Sequence, residues 1–189
     1  LFLATSQRGE LLSAPWVNKV LGLVVNATRS VPFIILVVAI IPFTRMIAGT
    51  SIGTTAAIVP LTIATVPFIA RLVENAIREV DSGLIEAARA MGATPLQIIR
   101  KVLLPEALPS ITLGLTLAIV SLIGYSAMVG AVGGEGLGDL GIRYGYQRFM
   151  PDVMAIVVII LIVLVQLVQS IGERIASAVD KRATKSGGQ

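Results

Sequence analysis

The sequence contains no cysteine and no histidine. The first absence excludes disulfides, thiolate metal sites and cysteine nucleophiles. The second removes the Ser-His and His-metal arrangements on which most hydrolases depend. Charge is scarce as well: only 14% of the 189 residues are Asp, Glu, Lys or Arg, against about 25% in an ordinary soluble domain. Aromatic residues make up 5%, too few for the stacking platform that binds single-stranded nucleic acid. The basic residues behind the net charge of +4 are dispersed over separate segments, so nucleic acid is not an expected partner. No G-x-x-x-x-G-K-[ST] loop occurs, which leaves the chain without the backbone cradle of a P-loop nucleotide site.

What the chain has in excess is apolar surface: 55% hydrophobic residues and a mean hydropathy of +0.89. That surface needs a solvent other than water, and lipid is the expected one. Residues 46–70, 107–134 and 153–172 carry no acidic or basic side chain, and each reaches the roughly 20 residues that cross a bilayer core. Residues 30–44 form a fourth, shorter stretch. It spans only if extended back through 17–27, with Lys19 and Arg29 reaching toward the interface. A soluble bundle of buried helices is the competing reading. Residues 153–165 argue against it, because they are apolar all round, whereas a soluble helix keeps a polar face.

Lys and Arg orient these spans. They are plentiful before the first span (Arg8, Lys19), sparse in the next connection (Arg45) and plentiful again from Arg71 to Lys101. They are sparse once more at Arg143 and Arg148 and plentiful in the tail, at Arg174, Lys181, Arg182 and Lys185. The positive-inside rule then places both ends and the 71–101 connection in the cytoplasm. The chain starts at Leu1 with an apolar run and shows no signal-peptide pattern. The expectation is a missing N-terminal helix, so four spans here belong to an all-α membrane bundle of five. Pro32, Pro42, Pro60, Pro67, Pro105 and Pro109 lie in or beside the spans. Membrane helices tolerate such breaks where neighbouring protein or a wet path satisfies the freed carbonyls.

The connection at 80–105 reads as two short helices with a sharp corner. Asp81 or Ser82 is placed to cap the first, Glu86 to sit near its positive end, and Gly92 to stop it in a left-handed conformation. Thr94 and Gln97 form a Thr-x-x-Gln capping box for the second, with Pro95 in first position and an expected end at Leu104-Pro105. The small side chains of Ala87, Ala88 and Ala90 would let another surface approach closely. A rigidly terminated helical knob on the cytoplasmic face reads as a docking element. A membrane-surface helix would need a broader apolar face and more Lys and Arg.

Glu86-Ala87-Ala88, three residues, Gly92, nine residues, then Val102-Leu103-Leu104-Pro105 resembles the EAA loop of ABC importer permeases, with Val102 in place of the usual Ile. The resemblance implies a type I importer permease fold over a single transmembrane domain at 1–189, with 80–105 as the coupling loop. It implies that Glu86, Ala87, Ala88, Gly92, Thr94 and Pro95 engage an ATPase. Two ATPase copies would bind ATP and Mg, a second copy of the permease would complete the pathway, and an extracytoplasmic substrate-binding protein would deliver the solute. The chain itself would hold no cofactor and perform no covalent chemistry. Arg29–Leu36, Ile41–Arg45, Pro67–Arg71, Arg89–Pro95 and Gly124–Met128 further resemble the bacterial methionine importer permeases of the inner membrane. The substrate so implied is L-methionine, with D-methionine as a second substrate.

Tyr125, Ser126 and Met128 offer a ring, a hydroxyl and a thioether late in the third span. Thioether and ring contacts would suit a methionine side chain in a translocation pathway; packing and an interface-belt tyrosine explain them equally well. Gly136-Leu137-Gly138-Asp139-Leu140-Gly141 fits the dinucleotide fingerprint but lacks the strand before it that the motif requires. Its glycines are read as sites of close packing and a re-entrant turn. Asp139, Arg143 and Arg148 are expected outside, as solvated loop charge or contacts to a delivering protein. Two rivals stay open: a permease of this class for a polar amino acid or phosphonate, and a membrane enzyme or channel. Against the second stand the lack of clustered carboxylates and of a repeated selectivity filter.

Overall fold

The computed structural model describes residues 22–23, 25–26, 30–130 and 133–180. Most of these residues are helical, with no strand among them. Helices α1 (Phe33–Ala39) and α2 (Ile41–Ala48) are short, α3 (Thr54–Arg78) is long, and α4 (Ser82–Ala90) and α5 (Pro95–Ile98) form the corner of the connection. A π-helical turn at Ile99–Leu103 leads into α6 (Leu104–Gly130). The short α7 (Leu137–Leu140), a second π-helical stretch at Gly141–Tyr146 and α8 (Pro151–Val179) complete the order.

Three helices are long and apolar enough to cross a membrane: Thr54–Arg78, Pro95–Gly130 and Pro151–Val179. They match three of the four expected spans, with shifted ends. The second span starts at Thr54 instead of 46, because α2 ends at Gly49 in the left-handed conformation (φ +73) and Gly53 (φ +97) turns the chain again. It also runs on past Ala70 to Arg78. The fourth expected span is two pieces, α1 and α2, meeting at Ile40 (φ −96, ψ 10). Pro42, without an N–H and with its ring crowding the preceding turn, breaks the helix there. The backward extension through Lys19 and Arg29, and the basic tail beyond 180, lie outside the described residues apart from 22–23 and 25–26.

The expected stop at Leu104-Pro105 is not present. The helix passes through both residues, because the π-helical turn loosens the chain just before the proline. Leu104 N–H reaches the Ile99 carbonyl, five residues back. That wider turn relieves the clash an α-helical carbonyl would make with the Pro105 ring.

The chain divides into two compact units. Among the described residues, one contains 22–23, 25–26, 69–116 and 171–180. Its core is Ile77, Ala88, Ile98, Leu103 and Ala107, with Val73, Ile85 and Ile111 packed around them. The other contains, among the described residues, 30–68, 117–130 and 133–170, and its core is Phe33, Val37 and Val129 against Leu61, Ala64 and Tyr125. In this second unit α7 folds back on α6. A Cβ on Gly138 would run into the Ala127 backbone, and one on Gly130 into the Asp139 backbone. The glycines here are therefore close-packing positions, as the sequence suggested for this stretch, and the dinucleotide pattern is embedded in a helical turn.

Candidate functional site

The connection between α3 and α6 is built as two capped helices. Asp81 Oδ1 accepts from the Gly83 N–H at 2.8 Å and starts α4. The end of α4 is a Schellman motif: Gly92 has φ +79, its N–H donates to the Arg89 carbonyl at 2.9 Å, and the Ala93 N–H donates to the Ala88 carbonyl at 3.0 Å. Two residues later Thr94 opens α5. Its backbone N–H donates to Gln97 Oε1 at 2.8 Å, the capping box is closed, and Pro95 stands at the start. These terminations make α4 a short rod of fixed length.

The side chains of α4 divide by face. Ala88 is buried against Ile77, Ile98 and Leu103 and fastens the rod to its own unit. Glu86, Ala87 and Ala90 are exposed, as are Gly92, Thr94 and Pro95. Leu84, Met91 and Leu96 add exposed apolar surface, Met91 at 81%. Two expectations change. Ala88 faces inward, so Ala87 and Ala90 are the alanines open to close approach. Glu86 lies in the second turn, since no acidic residue occupies the first. A dipole acts over the first turn only, so the placement of Glu86 is not explained by the helix end.

Sequence reasoning missed Glu74. It stands on α3 one turn above the connection and is 1% exposed. Oε2 accepts from Arg71 Nη1 at 2.8 Å, and Oε1 makes a charge contact with Arg78 Nη2 at 2.6 Å that is not aligned as a hydrogen bond. The R-x-x-E-x-x-x-R spacing was readable as i,i+3 and i,i+4 pairs on one helix face. It explains why α3 runs on through two arginines expected in a loop.

The three residues expected along a pathway point different ways. The Tyr125 ring stacks on Phe33, centroids 4.6 Å apart and 18° from parallel. Ser126 instead lines an apolar cavity of about 350 Å³ with Leu61, Leu122, Leu161 and Leu164. Met128 is exposed. Asp139 pairs with Arg143 at 2.7 Å, and Arg148 stacks over the Tyr144 ring at 4.6 Å. Among the described residues no group of acidic side chains is arranged to hold a metal ion.

The family model for the binding-protein-dependent transport system inner membrane component matches residues 2–185. The chain belongs to this family. The permease is 59% identical over 182 residues to the probable D-methionine transport system permease protein MetI of Vibrio cholerae, covering 96% of this chain and 81% of that one. It is 52% identical to the Pasteurella multocida protein of the same description, covering 93% and 81%. Among solved structures, an inward-facing conformation of the MetNI methionine ABC transporter superposes with a TM-score of 0.90 at 53% identity, over 95% of this chain and 83% of that one. An amino acid ABC transporter solved with histidines superposes at 0.77 with 22% identity and shows the same fold.

Proposed function

We propose that this permease carries methionine across the bacterial inner membrane, both L- and D-enantiomers, as the membrane half of an ATP-driven importer. The observation that carries the substrate is the 59% identity, over nearly the whole chain, to a relative described as a D-methionine permease. The observation that supports the coupling is the doubly terminated α4 with Glu86 and Ala87 exposed on it. Two copies of the permease form the pathway, and two ATPase subunits bind ATP and Mg and dock on the 80–105 connection through Glu86, Ala87, Gly92, Thr94 and Pro95. Ala88 supports that surface from behind. Nucleotide-driven closure of the ATPases moves the coupling helices, and the spans exchange inward- and outward-open states as packed bodies. An extracytoplasmic binding protein delivers the amino acid, and the C-terminus lies in the cytoplasm. The whole of 1–189 works as one transmembrane domain.

The test is uptake of labelled L- and D-methionine by cells lacking their own methionine importer and supplied with the permease, its ATPase and its binding protein. Saturable uptake of both, displaced by unlabelled methionine and not by a polar amino acid or a phosphonate, is the expected result. Uptake displaced by one of the latter instead would replace methionine as the substrate.

A further inference from the structure

Thr44, on α2, is 4% exposed, and its hydroxyl has no hydrogen-bond partner. Several other hydroxyls on these helices are satisfied by the carbonyl four residues back, whereas the buried Thr65 hydroxyl on α3, like that of Thr44, has no partner. Thr62 donates to Ile58 at 2.7 Å, Thr112 to Leu108 at 2.8 Å, and Ser121 to Leu117 at 2.9 Å. The Thr44 hydroxyl does not do this, although its own helix offers the same acceptor.

Thr44 lines a cavity of about 20 Å³ that it shares with Ser51, Ala56 and Pro60. Pro60 sits inside α3 and has no N–H, so the Ala56 carbonyl lacks the donor that a continuous helix would supply four residues on. Ala56 is itself 3% exposed, which keeps bulk water from that carbonyl, and lipid has no donors to offer. The residues that carry this carbonyl and this hydroxyl both line the same small cavity, and each is a group that folded proteins rarely leave unmet.

A water needs roughly 10–15 Å³ of accessible space and two to four polar neighbours. The cavity has room for one, and Thr44 and Ser51 bring hydroxyl-bearing side chains to its lining. No carboxylate lines it, so a cation would lie there without charge compensation. We propose that one water molecule is a resident part of this permease, held between the Thr44 hydroxyl and the Ala56 carbonyl with Ser51 beside it. It satisfies the helix where Pro60 interrupts the ladder.

The experiment turns on the sign of one substitution. Thr44→Val keeps the side-chain shape and removes the hydroxyl. In a dry cavity that change deletes an unsatisfied polar group, and replacing such a group by an apolar one of the same shape is neutral or stabilising. In a hydrated cavity it strips the water of an anchor. The thermal midpoint of the purified full-length permease in its transporter complex should therefore fall in Thr44→Val, by about 2–4 °C. Thr44→Ser, which retains the hydroxyl, should stay within a degree or so of the parent on the same scale. A high-resolution structure of the parent should show a single ordered peak in the cavity. An unchanged or raised midpoint in Thr44→Val, an equal fall in Thr44→Ser, or an empty cavity at a resolution where other buried waters are seen would overturn the assignment.

Discussion

Arg71 donates to Glu74 at 2.8 Å one turn before α3 ends, and the carboxylate that receives it is almost wholly withdrawn from solvent. Arg78 closes on the same carboxylate from the other side. A buried carboxylate is tolerable only when paired. Both arginines keep a partly exposed side chain, so water screens part of the interaction. Glu74→Ala removes the shared partner and leaves a small void. The expected loss is about 1–3 kcal/mol, read as a lower midpoint for thermal unfolding, with Glu74→Gln losing less because it still accepts from Arg71. A Glu74→Ala protein as stable as the parent would show that the pair carries no weight.

Gly138 meets the Ala127 backbone so closely that no Cβ fits without movement. Gly138→Ala should push α7 off α6 at a cost of about 1–3 kcal/mol, the range for overpacking. Gly124, around which a Cβ would meet nothing within 4 Å, should accept alanine freely. Protease sensitivity of the segment around Gly138, compared between the two variants, checks the contrast. Equal sensitivity would argue that the segment is not held by this contact.

Topology follows from the alternation of basic residues. A reporter inserted near Gly138 should read the outside and one fused after Lys185 the cytoplasm. The opposite pair of readings would invert the orientation and with it the placement of the 80–105 connection.

Much of that connection was legible because its signals are local. Asp81, Gly92, Thr94 and Gln97 each act on backbone within a few residues, and the structure finds the cap, the positive φ and the capping box at those positions. The close-packed glycines at 130 and 138 were legible as small residues without a role for a side chain. Other features depend on partners that a linear reading does not weigh. The stop expected at Leu104-Pro105 fails because a π-helical turn upstream absorbs the proline. The span end expected at Ala70 fails because Glu74 neutralises two arginines within the helix. Tyr125, Ser126 and Met128 are close in sequence, yet on a helix of 3.6 residues per turn adjacent residues face about 100° apart. Tyr125 accordingly reaches Phe33 while Ser126 lines a separate cavity.

Gly92 gives the sharpest handle on coupling. Its φ of +79 disfavours a side chain although a Cβ would meet no neighbour within 4 Å, so Gly92→Val strains the corner by about 1–2 kcal/mol without disturbing a packed core. Glu86→Lys reverses an exposed charge on the face left open to a partner. Both variants should insert and accumulate normally yet bind the ATPase more weakly.

The decisive measurement is methionine uptake into sealed vesicles containing the permease and its ATPase, with ATP on the ATPase side and the loaded binding protein on the other. The parent should import methionine only when ATP is hydrolysed, and Gly92→Val, at matched abundance, should lose at least most of that import. Uptake that proceeds without ATP, or that is equal in parent and Gly92→Val, would contradict the account.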